Sequence, residues 1–133
     1  MNREINDAIS ACATHDMING WIVVLNGHES PKRQRFSAAH EFGHMVLMPN
    51  PTDIVYCGKG NDWEEKLCDI FAGKLLMPSE MIFQYYNNLP SEPFLEEVAT
   101  AFQVSPQVAY IRLTNSNLPF KVLYDYSFVA RSA

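Results

Sequence analysis

The sequence has little of what marks a secreted, membrane-spanning or nucleic-acid-coating protein. It holds three cysteines, Cys12, Cys57 and Cys68, an odd number with no Cys-x-x-Cys pair. Neither a disulfide framework nor a cysteine-based zinc pair is therefore expected, and reduced thiols in a cytoplasmic protein are the simplest reading. The longest apolar run is Trp21-Ile22-Val23-Val24-Leu25, far short of the roughly 20 residues that a membrane-spanning helix needs. The opening stretch, Met1-Asn2-Arg3-Glu4-Ile5-Asn6-Asp7, is polar and leads into no apolar segment, so no secretory leader is expected. Positive charge is also scarce: 10 Lys and Arg stand against 15 Asp and Glu, for a net charge of −5 and a pI near 5.2. A dedicated nucleic-acid binder shows a basic face instead. Internal repeats, low-complexity tracts and Gly/Ser-rich linkers are absent from the 133 residues, and that length sits within the roughly 100–200 residues of one domain.

What is present is a set of short segments separated by eight prolines, which suggests several short helices joined by turns. Ile5, Ala8, Ile9 and Cys12 recur at helical spacing, so a short N-terminal helix is expected over residues 2–13. The run 21–25, bounded by Asn19-Gly20 and Asn26-Gly27, reads as a buried strand. A polar loop from Gly27 to Arg35 follows, and Ser37 offers an N-cap for a helix over about 38–48, closed by Pro49-Asn50-Pro51. Ile54-Val55-Tyr56 suits a short strand. Residues 62–76 form a second strong helical pattern ending before Pro78. Ser79, Ser91 and Ser105 each precede an amphipathic stretch, with Pro106 at a favoured first helical position. The tail from Phe120 to Val129 alternates weakly, as a strand does. The expected class is α+β: a mainly helical domain with a small β-sheet and a metal site between the two central helices.

The metal site rests on Ala39-His40-Glu41-Phe42-Gly43-His44, a His-Glu-x-x-His run on an expected helix. Residues i and i+4 lie one turn apart on one face, so both imidazoles can reach one ion. Neutral imidazole suits Zn2+, with bonds of about 2.0–2.1 Å. Glu41 stands beside the first ligand, where it can accept a proton as general base and pass it to a leaving amine. An accidental pair of histidines on an amphipathic helix is the bland alternative. It is weakened by the placement of two of the four histidines in one turn, with small Ala38, Ala39 and Gly43 leaving room around them.

A catalytic zinc site usually has three protein ligands and one open position, so a third ligand must come from elsewhere. Glu64, Glu65 and Asp69 on the second strong helix are the candidates. Glu65 and Asp69 share a face, and Ala72 extends it with little bulk. Glu65 as ligand, with Asp69 accepting the free N–H of His40 or His44, fits the way outer carboxylates orient ligating histidines. A solvated acidic first turn, Asp62 with Glu64 and Glu65, accounts for the same residues without a metal.

Two blocks give a resemblance. Arg35-Phe36-Ser37-Ala38-Ala39-His40-Glu41-Phe42-Gly43-His44 and Glu65-Lys66-Leu67-Cys68-Asp69-Ile70-Phe71-Ala72-Gly73-Lys74-Leu75-Leu76-Met77-Pro78 resemble the ImmA/IrrE family of zinc metallopeptidases. Val98-Ala99, Phe102, Val104-Ser105 and Arg112-Leu113 add to it. The resemblance implies a single metallopeptidase domain over 1–133 with a helical C-terminal part at about 91–118. It implies His40, His44 and Glu65 as zinc ligands and Glu41 as catalytic base. It also implies an anti-repressor activity, cleavage of a helix-turn-helix repressor of a mobile element or stress regulon. Ser37 stands where the family has Thr, and Cys68 where it has Ala. That thiol could be inert packing or could make the site sensitive to oxidation. Only 39 residues precede His40, fewer than in many relatives.

A second reading comes from residues 94–118, which mimic a helix-turn-helix reader of DNA: a non-catalytic regulator binding a repressor or DNA through its C-terminal helices. The segment 105–117 carries one basic residue, Arg112, and from Ser91 to Ala133 three cationic residues face four anionic ones. Phosphate contacts need several Lys or Arg, so no direct nucleic-acid partner is expected. The loop Pro31-Lys32-Arg33-Gln34-Arg35 reads as solvated rather than as a docking patch for an acidic partner. His28, Tyr56, Tyr85, Tyr86 and Tyr110 could each donate to an oxyanion, and the sequence does not choose among them.

Overall fold

Alternation, rather than helical spacing, organises the first part of the chain. The structure, a computed structural model, describes residues 9–47, 54–56 and 62–114. Strand β1 spans Ala11–Asp16, with Ala11 and Ala13 buried on one face. The helix expected over 2–13 is therefore corrected at residues 9–13, which are not helical and enter β1 at Ala11; residues 2–8 of that expectation and the expected tail strand 120–129 lie outside the described residues. The spacing of Ile5, Ala8, Ile9 and Cys12 suited a helix, but pairing on both edges of β1 supplies the ladder hydrogen bonds that a helix would have supplied locally. Strand β2 (Gly20–Leu25) pairs antiparallel with β1, Ala11 opposite Leu25 and Asp16 opposite Gly20. Strand β3 (Ile54–Tyr56) pairs antiparallel on the other side, Ala13 opposite Tyr56. The sheet order is β2-β1-β3, so that among the described residues β2 stands at an edge.

The β1–β2 turn follows from its residues. Asp16 accepts hydrogen bonds from the backbone N–H groups of Ile18 and Asn19 and from the Asn19 side chain, an Asx-type turn. Gly20, at φ 71°, takes the left-handed conformation that a side chain would strain. Beyond β2, the Asn26 side chain donates to the Ile9 carbonyl and accepts from the His28 N–H, tying the sheet to the next connection.

Helix α1 runs Pro31–Leu47, seven residues earlier than the sequence suggested. Ser30 is the cap, its hydroxyl accepting from the Arg33 N–H, and Pro31 occupies the first turn, where its missing N–H costs nothing. Ser37 is instead buried within the helix. The polar run 32–35 looked like loop because it forms the solvated side of this first turn. α1 packs against β1 and β2. Helix α2 spans Asp62–Leu76, as its periodicity indicates, with Asp62, Glu64 and Glu65 favourably placed at the positive N-terminal end.

The chain divides into two compact units, 1–72 and 73–133, with the boundary inside α2. In the second unit, α3 (Ser79–Asn87), α4 (Leu95–Phe102) and α5 (Pro106–Thr114) enclose a core of Met77, Ile82, Leu95, Val98, Ala99, Phe102, Val104 and Ala109. Ser79 and Ser91 are not caps: Ser79 is the first residue of α3, and Phe94 precedes α4, its N–H held by the Glu97 carboxylate. Ser105 does cap α5, accepting from the Val108 N–H. Gln103, left-handed at φ 55°, ends α4. Among the described residues no helix is long and apolar enough to cross a membrane. Cys12 is disulfide-bonded and Cys68 is free and buried, so the expectation of uniformly reduced thiols is corrected.

Candidate metal centre

The first unit buries polar groups where a helix–sheet interface ordinarily buries Leu and Val. α1 presents Ser37, Ala39, Glu41, Gly43 and His44 inward, and α2 presents Cys68 and Ala72. Buried polar side chains are costly unless they are partnered, so their partners decide what this interior is for.

The helices supply those partners at the expected spacings. His40 and His44, one turn apart on α1, have ring centroids 5.1 Å apart. Glu65, on α2, reaches both: Oε2 lies 2.8 Å from His40 Nε2 and Oε1 lies 3.0 Å from His44 Nε2. The other nitrogen of His40, Nδ1, is 2.7 Å from Asp69 Oδ1. Each oxygen of Glu65 thus meets one imidazole, while Asp69 holds His40 from behind. The sequence left Asp69 open to either histidine; the structure places it on His40. Glu64 takes part in neither contact.

Glu41 is 4% exposed, and its Oε2 finds no hydrogen-bond partner among the described residues. Burial, reinforced by the Glu65 charge and opposed by His40, pushes its carboxyl up to about 7. Burial works against the charged form of His40, but the Asp69 hydrogen bond and the charges of Asp69, Glu65 and Glu41 outweigh it and raise its pKa. His44 is 3% exposed; there burial prevails and the pKa is lowered, despite Glu65. Titratable groups pushed in opposite directions at one place are characteristic of functional sites.

Cys68 was noted in the sequence only as a departure, yet it joins this cluster. Ligand atoms of His40, His44 and Cys68 lie within 4.8 Å of one another. Burial and the charges of Glu65, Glu41, Asp69 and Glu64 push its thiol up to about 12. Its position three residues after Glu65 on the same helix face was the available signal. Gly43 was read only as small, and it does more. A Cβ there would stand 3.2 Å from the Cys68 Cα and 3.2 Å from Phe71 Cδ1, so glycine sets how closely α1 approaches α2. Phe42 and Phe71 pack beside that approach, rings 5.7 Å apart.

Of the oxyanion candidates, the Tyr56 side chain lies outside the described part of the structure. Tyr85, Tyr86 and Tyr110 pack against the core of the second unit, and nothing described draws His28 to the cluster. In the second unit Arg112 donates to the Met77 carbonyl and to Ser79 Oγ. The one basic side chain of α5 is therefore committed within its own unit.

Comparison with known proteins follows the same residues. The sequence pattern defining peptidase family M78, the IrrE N-terminal-like domain, matches residues 7–114. The radiation response metalloprotease IrrE of Deinococcus radiodurans is 33% identical over 110 residues, 77% of this chain and 33% of that protein. The protein of the same name from Deinococcus deserti is 31% identical over 117 residues, 83% of this chain and 41% of that protein. The chain spans about a third to two fifths of the length of these relatives.

Proposed function

The chain belongs to the IrrE N-terminal-like family of metallopeptidases, and from that premise we propose that it is a zinc-dependent endopeptidase whose substrate is a helix-turn-helix repressor. The observation that carries the reading is Glu65 lying between the two ε nitrogens of His40 and His44. Two imidazoles and a carboxylate converge there, a donor set that suits zinc, and the orphaned Glu41 Oε2 beside them is a group awaiting a partner. The residues present fit the metal: His40, His44 and Glu65 would hold it.

Bound Zn2+ would supply Lewis-acid polarisation of the scissile carbonyl and activation of water near neutral pH. The chain's own groups do the rest. Asp69 accepts the Nδ1–H of His40, which fixes the tautomer and leaves Nε2 free to ligate. Glu41 takes a proton from the attacking water and delivers it to the departing peptide nitrogen. Strand β2, at the sheet edge and packed against α1, can receive an extended substrate by strand addition. The commitment of Arg112 inside its own unit weighs against DNA reading by α5.

The direct test is co-expression with a helix-turn-helix repressor encoded beside the gene. Wild type is expected to cut it in a chelator-sensitive way. Glu41→Gln should keep zinc and lose cleavage by at least the ~100-fold typical of a general base, whereas His44→Ala should lose the zinc itself. Cleavage by Glu41→Gln at the wild-type rate would refute the enzyme reading, and repressor binding that survives both variants and chelation would favour a non-catalytic regulator.

A further inference from the structure

A tight approach of α1 to α2, at Gly43, carries a group that the proposed mechanism does not use. Gly43 faces Cys68 so tightly that an added Cβ would stand 3.2 Å from the Cys68 Cα and 3.3 Å from its Cβ. Cys68 is fully buried. Its Sγ, a nitrogen of His40 and a nitrogen of His44 form a set of three ligand atoms within 4.8 Å of one another. Glu65, Cys68 and Asp69 stand at i, i+3 and i+4 of α2 and so share one face; two of the three already contact the histidines.

Packing alone does not call for sulfur here. The other buried small side chains of these two helices, Ala39 and Ala72, are alanines. A thiol in a pocket of imidazoles and carboxylates adds a soft donor, and thiolate with imidazole is a favoured pairing for zinc. With bonds of about 2.3 Å to sulfur and 2.0–2.1 Å to nitrogen, tetrahedral sulfur and nitrogen ligands stand roughly 3.6 Å apart. The three atoms need close by little more than 1 Å from the 4.8 Å limit, within the reach of side-chain rotation.

We propose that Cys68 is a further metal ligand, so that the centre passes between an open form held by His40, His44 and Glu65 and a closed form in which the Cys68 sulfur takes the fourth position. The inference rests on the metallopeptidase reading above. A metal with four protein ligands has no place for substrate or water, as in structural zinc sites; the closed form is therefore latent, and withdrawal of the sulfur opens it. The thiol proton leaves to solvent as the bond to the metal forms. A sulfur donor also shifts preference towards thiophilic ions such as Cd2+ and away from oxygen-seeking Mn2+.

Cobalt substitution of the full chain tests this without reference to activity. Titration of the metal-free protein with Co2+ should produce a near-ultraviolet sulfur-to-cobalt charge-transfer band that saturates at one equivalent. Cys68→Ala and Cys68→Ser should bind the same one equivalent, keep the visible bands of a nitrogen- and oxygen-ligated ion, and lose the charge-transfer band. Alanine keeps the Cβ that Gly43 packs upon, and circular dichroism checks that the helices persist. In competition, the preference for Cd2+ over Zn2+ should fall at least tenfold in Cys68→Ala. One equivalent of Co2+ bound with no charge-transfer band, or with a band that Cys68→Ala retains, overturns the proposal and leaves the metallopeptidase reading standing. If His44→Ala takes up Co2+ as wild type does, that reading fails and this one with it.

Discussion

At the scale of single residues, Glu41 sits in surroundings far from those a carboxylate prefers. Its carboxyl is buried, one oxygen is orphaned, and burial pushes its pKa from an ordinary 4.5 up to about 7. Between those two values the folded metal-free chain holds a proton that the unfolded chain has already released. Stability of the metal-free protein therefore falls as pH rises from about 4.5 towards 7 and stays lower above it. Glu41→Gln removes this cost. In chemical denaturation of metal-free protein, the variant should exceed wild type by ~1–3 kcal/mol at pH 8 and by little at pH 4.5. A gain equal at both values would mean that shape, not ionisation, sets the difference. The roles proposed for His40, Glu41, His44 and Glu65 were legible because HExxH and Glu-x-x-x-Asp spacings are statements about one helix face. Which histidine Asp69 would meet was not legible, because that depends on how α2 is rotated against α1. Cys68 was visible as an oddity on the Glu65 face of α2, but how far it reaches towards the histidines depends also on how α1 and α2 meet.

At the scale of elements, the two helices of the site differ in how well the sequence announced them. α2 was plain: acidic residues in its first turn, apolar residues at helical offsets, and a proline just beyond its end. α1 was recognised only in its second half, because Lys32, Arg33, Gln34 and Arg35 look like loop until Ser30-Pro31 is read as a cap followed by a first turn. The same Ser-Pro signal at 105–106 does begin α5. The start of β1 was mistaken for helix because Cys12 continued the helical spacing of Ile5, Ala8 and Ile9; pairing with β2 and β3 decides residues 11–16 as strand. The point where α1 and α2 meet is set by Gly43. Alanine is favoured over glycine inside a helix by ~1 kcal/mol, yet here its Cβ would meet backbone at 3.2 Å and push the helices apart. Gly43→Ala should therefore weaken zinc binding tenfold or more, on the scale seen when ligand orientation is lost, as read by competition with a chromophoric chelator. Unchanged affinity would show that the helix spacing has slack.

At the scale of the whole chain, the scarcity of positive charge takes on a local meaning. Part of the acidic excess stands in one place, where Glu41, Glu65 and Asp69 surround two imidazoles. A divalent cation there would offset that charge and stabilise the folded state that binds it. The small and polar interior of the first unit contrasts with the apolar core of the second; one is arranged around a site and the other around packing. The segment with a helix-turn-helix likeness, α4 and α5, carries little positive charge: Arg112 is the one basic residue of 105–117, and it donates to the Met77 carbonyl and Ser79 Oγ. The central claim is that His40, His44 and Glu65 hold one zinc ion. Its most direct test is metal analysis of protein purified without chelator, beside His44→Ala and Glu65→Ala. The account predicts about one equivalent of zinc in wild type and near none in either variant. Wild-type protein that folds normally and carries no zinc, or variants that retain a full equivalent, would contradict it.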